Sequence, residues 1–424
     1  MSTFLKTIQE GIQDMCYIWW LEMKNTIKDE GVLIFFIIVP LVYPLVYAWI
    51  YNNEVVHDVP VAVVDMSHTK TSRTFIQKFD GTPDVKVAYH CNNLAEARSL
   101  IAHQAVHGVL YFPDDFEQTI YRGEQAHVNI YCDMALMLTF KAIYLAATNV
   151  SLDMNRNIQL SRLNTFTERD EEINTQPLAV EEVPIFNPTG GYGTAILPGV
   201  LILILQQTLL LGIGLSAGTA RENNRYKDLV PVSRHYNGIF RIVLGKALCY
   251  FMIYAVMAAY DTLCIPLFFG FTQLVHATDL IGLLLPYLLA CIFFGMMLSC
   301  LVRYRENVMM LVVFTSIPML FMSGISWPQT AIPGYWQGIS WLIPSTFGIR
   351  GFLRISSMGG TLQDIRQEYM ALWIQAAVYF FATCLVYRYQ IIVARRHAND
   401  RLEMMKQKVR TFKKAVPAEA ENPS

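Results

Sequence analysis

Three residues stand where polar side chains are expensive. Asp261 is a carboxylate set well inside an apolar run of this 424-residue chain, and Gln206 and Gln207 sit side by side near the middle of another. An amide or carboxylate among apolar neighbours costs free energy unless it is partnered. The two glutamines read either as the lining of a substrate path or as hydrogen bonds between helices. Asp261 reads as a proton or substrate site, or as part of a polar pocket in the outer half of a membrane.

Other chemistry is sparse. Six of the nine histidines (His57, His68, His90, His103, His107 and His127) fall within residues 51–193, but their spacing matches no ligand motif such as HExxH. His103 and His107 are one helical turn apart in number, yet Gly108 and the strand after it argue against a shared helix face. The eight cysteines contain no CxxC pair, so no metal site is expected. Cys91 and Cys132 each close a predicted strand and are a candidate disulfide if that region lies in an oxidising compartment. A phosphate-cradling G-x-x-x-x-G-K-[ST] is missing, the Gly-Lys of "GIFRIVLGK" (238–246) having the wrong spacing, and no G-x-S-x-G or nucleophile–base arrangement is present. The chain is not expected to be an enzyme or to bind a cofactor, and any ATP and Mg that it uses would sit on a separate polypeptide.

The elements that hold these residues are mostly apolar. Hydrophobic residues make up 54% and charged residues 16% of the chain, a balance tilted towards the membrane, and the net charge of −1 argues against a nucleic-acid partner. Gly31–Ile50 is twenty residues long, about 30 Å as a helix, and carries Pro40 and Pro44 as bends. Further spans are expected at Thr194–Ala217, Phe240–Phe269, Asp279–Val302, Asn307–Gly324 and Met370–Val393. Arg221, Arg225, Lys227, Arg234 and Arg241 fall in one connecting segment, Arg303 and Arg305 in another, and Lys and Arg crowd the tail from Arg395 to Lys414. The 270–279 connection has none. Cytoplasmic loops collect Lys and Arg, so both termini are placed in the cytoplasm and residues 51–193 outside it. Before the first span, Phe4, Leu5, Ile8, Ile12, Met15, Cys16 and Trp19 recur at three- and four-residue intervals. They predict a helix along the membrane surface with its charges on the other face, or else a partner-binding tail.

Within 51–193 the pattern changes. "VPVAVVD" (59–65), "VKVAYH" (85–90), "HGVLYFP" (107–113) and "HVNIYCD" (127–133) read as strands. Helical patterns lie around Thr71–Phe79, at 93–104 and from Met134 towards Ile158, giving an α/β layer. "VAVVD" is not followed by G-x-G-x-x-G and carries no nucleotide reading. The stretch 323–351 holds Trp327, Trp336 and Trp341 among prolines and glycines, too broken for a span and too apolar for an ordinary loop. Irregular backbone at membrane depth needs protein or a water-filled cavity around it, so a pair of short re-entrant helices capped near Pro344-Ser345 is expected. A loop lying on the outer leaflet is the alternative. The 219–248 stretch begins as a mixed-charge helix that either docks a partner or is a solvated loop.

Taken together these features resemble the ABC-2 family of transporter permeases, in its bacterial branch with one large extracytoplasmic insert. The likeness rests on the layout, on "IIVPLVYPLVYAWIY", on "RENNRYKDLVPVSR" and on "SGISWP" with "LIPSTFGIRGF". Tyr226-Lys227 departs from the family's usual Gly-Thr. The resemblance implies a fold: an α-helical polytopic membrane protein of six transmembrane helices, with an inserted α/β extracytoplasmic domain between helices 1 and 2 and a re-entrant hairpin between helices 5 and 6. Residues 1–30 would be a cytoplasmic interfacial amphipathic helix, 31–50 helix 1, 51–193 the extracytoplasmic domain and 194–394 helices 2–6. The coupling loop would lie at 219–238, the re-entrant segment at 327–350 and a cytoplasmic basic tail at 395–424.

The resemblance also implies the permease subunit of an ATP-binding-cassette exporter in a bacterial inner membrane, moving a drug, lipid or other amphipathic molecule outwards. Its partners would be cytoplasmic ATPase subunits, a second copy or homologous permease, a periplasmic adaptor and an outer-membrane channel. Arg221, Glu222, Arg225, Asp228, Leu229 and Pro231 would couple to the ATPase. Trp327, Pro328, Pro344, Ser345, Gly348 and Arg350 would form the outer gate. The alternative is a membrane-anchored envelope scaffold or sensor whose external domain binds a partner without transport.

Overall fold

The computed structural model describes residues 2–52, 55–162, 185–187, 190–222, 238–299 and 304–419. Contacts divide the chain into two units, Met1–Asn52 with Phe186–Ser424, and Asn53–Ile185.

In the first unit every long apolar run is helical. Six helices among the described residues are long and apolar enough to cross a membrane: Glu30–Ile50, Tyr192–Thr219, Ile239–Phe269, Ala277–Leu298, Arg305–Met322 and Arg366–Ile392. The shortest has 18 residues, about 27 Å of helix against a hydrocarbon core of about 30 Å. The protein is an α-helical polytopic membrane protein. The second span is apolar all round and is the hub of the bundle, packing on the first, fourth and fifth spans and on a further helix, Pro344–Ser356. The first and fifth spans have most of their surface outward, as lipid-facing helices do.

Prolines set the local geometry of two spans. The first widens into a π turn at Ile34–Ile38 just before Pro40, and the third does so at Tyr260–Cys264 just before Pro266. Proline has no N–H to return to the carbonyl four residues back, and a π turn is one way a helix absorbs this. In the third span that carbonyl belongs to Thr262, and Gln273 Nε2 donates to it at 3.0 Å instead. The turn in the first span puts Phe36 against Tyr250 and Tyr254 of the third, ring centroids 5.5 Å apart in both pairs.

Between the fifth and sixth spans the chain forms a short 3-10 turn and two helices, Gly334–Ser340 and Pro344–Ser356. Pro344 opens the second helix at its first position, where proline is preset for the helical turn, and Pro333 precedes the first as its N-cap. The second helix buries Ile349, Phe352 and Ile355 completely against the second, fourth and sixth spans. It also runs six residues beyond the expected boundary at 350.

The second unit is a four-stranded sheet of β1 (Val59–Asp65), β2 (Val85–Cys91), β3 (Gly108–Phe112) and β4 (Asn129–Cys132), in the order β2-β1-β3-β4. β1 is parallel to both neighbours, and β4 returns antiparallel to β3. Helices α1 (Lys70–Asp80), α2 (Leu94–Ala102), α3 (Phe116–Tyr121) and α4 (Met137–Arg162) complete it. β1 is apolar from Val59 to Val64 because both its faces are covered. Val59, Val61 and Val63 point into one core with Phe75, Phe79 and Ile143, and Ala62 and Val64 point into another with Ala97 and Val109. Helix α3 escapes a periodicity reading because six residues are too few to show one.

The candidate disulfide is corrected here. Cys91 ends β2 at one edge of the sheet and Cys132 ends β4 at the other, and both are free thiols. Three strand spacings, about 14 Å, separate edges that a disulfide could bridge only within about 7 Å. Burial raises the Cys91 thiol above its ordinary value and pushes Cys132 up to about 11. Asp65, at the end of "VAVVD", is also internally engaged. Its carboxylate accepts from Ser67 and His68 backbone N–H and from Ser72 Oγ at 2.7 Å, which fixes the turn into α1.

Candidate functional site

Gln206 is fully buried and joins four helices. Its Oε1 accepts the Ser345 backbone N–H at 2.7 Å and faces Cys291 Sγ at 3.6 Å, while its Nε2 lies 3.5 Å from Met319 Sδ. Ser345 is in the first turn of the Pro344–Ser356 helix, whose leading N–H groups have no intrahelical acceptor. In an apolar setting an orphan N–H is costly, and the amide oxygen of Gln206 removes that cost. Gln206 thus spends both its ends inside the fold, as an interhelical bond. Gln207 donates to Met319 Sδ at 3.2 Å, and its Oε1 has no partner among the described residues.

The next turn of the same helix packs as closely. Tyr287 donates its hydroxyl to the Ile202 carbonyl at 2.6 Å, and its ring lies where a Cβ on Gly348 would have to go. On the sixth span, Gln375 donates to the Trp341 carbonyl at 2.6 Å and Tyr379 to that of Leu342. Among the residues expected at an outer gate, Pro344, Ser345 and Gly348 are therefore brought together. Trp327 and Pro328 are exposed and lie before the 3-10 turn. Arg350 is half-buried, 5.8 Å from the Phe347 ring centre, with Nε and Nη2 unpartnered among the described residues.

Asp261 lies in the π turn of the third span, wholly buried, with neither carboxyl oxygen hydrogen-bonded among the described residues. It is not bonded to Gln206 or Gln207. An enclosed carboxyl without a partner is costly inside a membrane.

A third group of residues was not legible as a site. On the N-terminal helix, Ser2–Lys28, the buried positions are Asp14, Ile18, Glu22 and Thr26, one per turn, against the third span. Asp14 accepts from Arg241 at 2.7 Å, and Glu22 accepts from Lys246 Nζ at 2.8 Å and from the Tyr250 hydroxyl. Asp29 then caps the first span through the Gly31 and Val32 N–H groups and accepts from Arg305 at the start of the fifth span, 3.1 Å away. A Cβ on Gly31 would collide with that guanidinium.

The face of this helix that packs on the bundle is its charged one. Asp14 and Glu22 face inward and are paired, while Ile12, Cys16, Trp20 and Ile27 are exposed. The reason is physical. Next to lipid, apolar side chains lose nothing by facing outward, and ion pairs and close packing decide which face is buried. The clue in the sequence was a lysine, Lys246, inside an apolar run, which needs an acidic partner from elsewhere.

Among the described residues no group of His, Cys, Asp and Glu is placed to hold a metal ion. Arg225, Asp228, Leu229 and Pro231 lie outside the described residues, as do Arg303 and the side chains of Phe4, Leu5, Ile8, Arg221, Glu222 and the tail beyond Ile392. No curated protein matches the chain. The family model described as ABC-2 family transporter protein matches residues 31–385, a stretch that reaches into all six spans. The chain belongs to the ABC-2 transporter family and is a membrane permease subunit of an ABC transporter.

Proposed function

We propose that this permease is an exporter subunit that moves an amphipathic molecule, a drug or a lipid, towards the outer side of a bacterial inner membrane. The observation that carries the reading is the Pro344–Ser356 helix. A short helix set among the second, fourth and sixth spans, its N-terminus held by one amide from the hub span, is suited to act as a gate. The bond at Ser345 and the Tyr287–Gly348 contact are the closures such a gate would release. Asp261 and the free oxygen of Gln207 supply polar groups for a substrate path.

Family membership implies an ATP-binding subunit. In this reading two ATPase subunits, carrying ATP and Mg, dock on the 219–238 segment of each of two paired permeases, with Arg221, Glu222, Arg225, Asp228, Leu229 and Pro231 in contact. The termini are cytoplasmic, and residues 51–193 are periplasmic and meet an adaptor protein and an outer-membrane channel. The basic residues on alternate connections support that orientation.

The test is copurification with an ATPase subunit, followed by substrate-stimulated hydrolysis in lipid. Wild type should form the complex, and Glu222→Lys should abolish stimulation while leaving the permease folded. A complex that never forms, or full stimulation in the Glu222→Lys variant, would overturn the coupling assignment.

A further inference from the structure

Five spans, and Ser299 directly after the fourth, contribute to one cavity of about 530 Å³, a size typical of small-molecule sites. Its walls come from the starts of the first, third and fifth spans and from the ends of the second, fourth and sixth, so it lies at a single end of the bundle. Its floor is the sealed group of Glu22, Lys246 and Tyr250, in which the two charges are 6% and 5% exposed and already satisfy one another.

The rim is different. Arg305 donates one guanidinium N–H to Asp29 and makes no other side-chain bond with a described residue. Lys28 and Glu30 also line the cavity, are exposed, and pair with no described residue. Lys28 and Glu30 are therefore open on the same rim, and Arg305, held by Asp29 through one N–H, keeps its other guanidinium N–H groups for a further anion. Phosphate matches a guanidinium beside an ammonium, and a primary ammonium matches a carboxylate. Ile27 on the N-terminal helix and Ile34 and Ile38 on the first span, close in sequence to the rim residues, are exposed apolar side chains.

We propose that this cavity binds a zwitterionic phosphoethanolamine headgroup carried by a membrane phospholipid. The phosphate sits on Arg305 and Lys28, the ammonium on Glu30, and the acyl chains lie along Ile27, Ile34 and Ile38. The site is intrinsic to one chain and does not depend on the transport reading.

The experiment is native mass spectrometry of the full-length protein, delipidated in detergent and supplied with phosphatidylethanolamine or phosphatidylglycerol. Wild type should retain phosphatidylethanolamine preferentially. Lys28→Ala and Arg305→Ala should each weaken that retention about tenfold, the worth of one charge-assisted hydrogen bond. Glu30→Gln should erase the preference over phosphatidylglycerol, which has no ammonium. Lys28 and Glu30 are exposed and unpaired, so these variants remain informative if Arg305→Ala unfolds. Retention unchanged in both Lys28→Ala and Glu30→Gln overturns the site. Displacement of the lipid by millimolar soluble phosphoethanolamine would show that the headgroup alone is the ligand and overturn the role given to the acyl chains. Retention is read without ATPase or transported substrate, so neither result bears on the exporter reading.

Discussion

The sharpest residue-level consequence concerns Gln206. Its amide is enclosed and its oxygen caps a helix. Gln206→Leu keeps the volume but leaves the Ser345 N–H buried and unpaired. A cost of about 1–3 kcal/mol is expected, read as a lower midpoint of thermal unfolding in detergent. A midpoint equal to wild type would show that Ser345 finds another acceptor. Gly348 makes a complementary case, because Tyr287 occupies the place of its missing side chain. Gly348→Val should destabilise by about 1–3 kcal/mol through overpacking. Combining it with Tyr287→Leu should recover part of that loss, although the hydroxyl bond to Ile202 goes with the ring. Additive losses in the double variant would place the strain elsewhere.

At the scale of elements, the N-terminal helix is joined to the bundle by charge. Lys246 and Glu22 are both nearly sealed, and removing either leaves a buried ion without a counter-ion. Lys246→Ala should cost about 3–5 kcal/mol. The exchange Glu22→Lys with Lys246→Glu should lose less than the sum of its single changes, a coupling measurable as a double-mutant cycle on thermal unfolding. Strict additivity would count against the pair.

The sheet permits a prediction at the same scale. With Cys91 and Cys132 on opposite edges, alkylation of the unfolded, unreduced protein should label both thiols. In the folded protein burial holds the Cys132 thiol protonated from its ordinary 9.0 up to about 11, so its labelling rate should climb across that interval and be slow at neutral pH. Recovery of a linked Cys91–Cys132 peptide would refute the strand order. These elements also show what the sequence could and could not disclose. The strands and spans were legible because apolar periodicity is a local property of the chain. The buried face of the N-terminal helix was not, because its partners Arg241, Lys246 and Tyr250 are more than two hundred residues away. The disulfide expectation failed for a related reason, since strand ends can be read from sequence while strand order cannot.

Across the whole molecule, one feature of the bundle carries a topological claim. The cavity is built from the beginnings of odd-numbered spans and the ends of even-numbered ones, which is the arrangement of a chain that crosses the membrane six times in alternating directions. The N-terminal helix and the end of the sixth span then share a side, and the chain that leaves Ile50 emerges on the other. Positive residues on the 217–241 and 303–306 connections favour the shared side as the cytoplasmic one, the orientation proposed above. Lys24 and Glu124 are exposed positions, one on the N-terminal helix and one in the sheet-containing unit. A membrane-impermeant maleimide applied to spheroplasts should therefore add one label to Glu124→Cys beyond those of wild type. Lys24→Cys should gain its extra label only after the membrane is permeabilised. External labelling of Lys24→Cys would invert the orientation, and with it the direction in which an ATPase on the 219–238 segment could drive transport. Labelling of both from outside would break the six-span alternation itself.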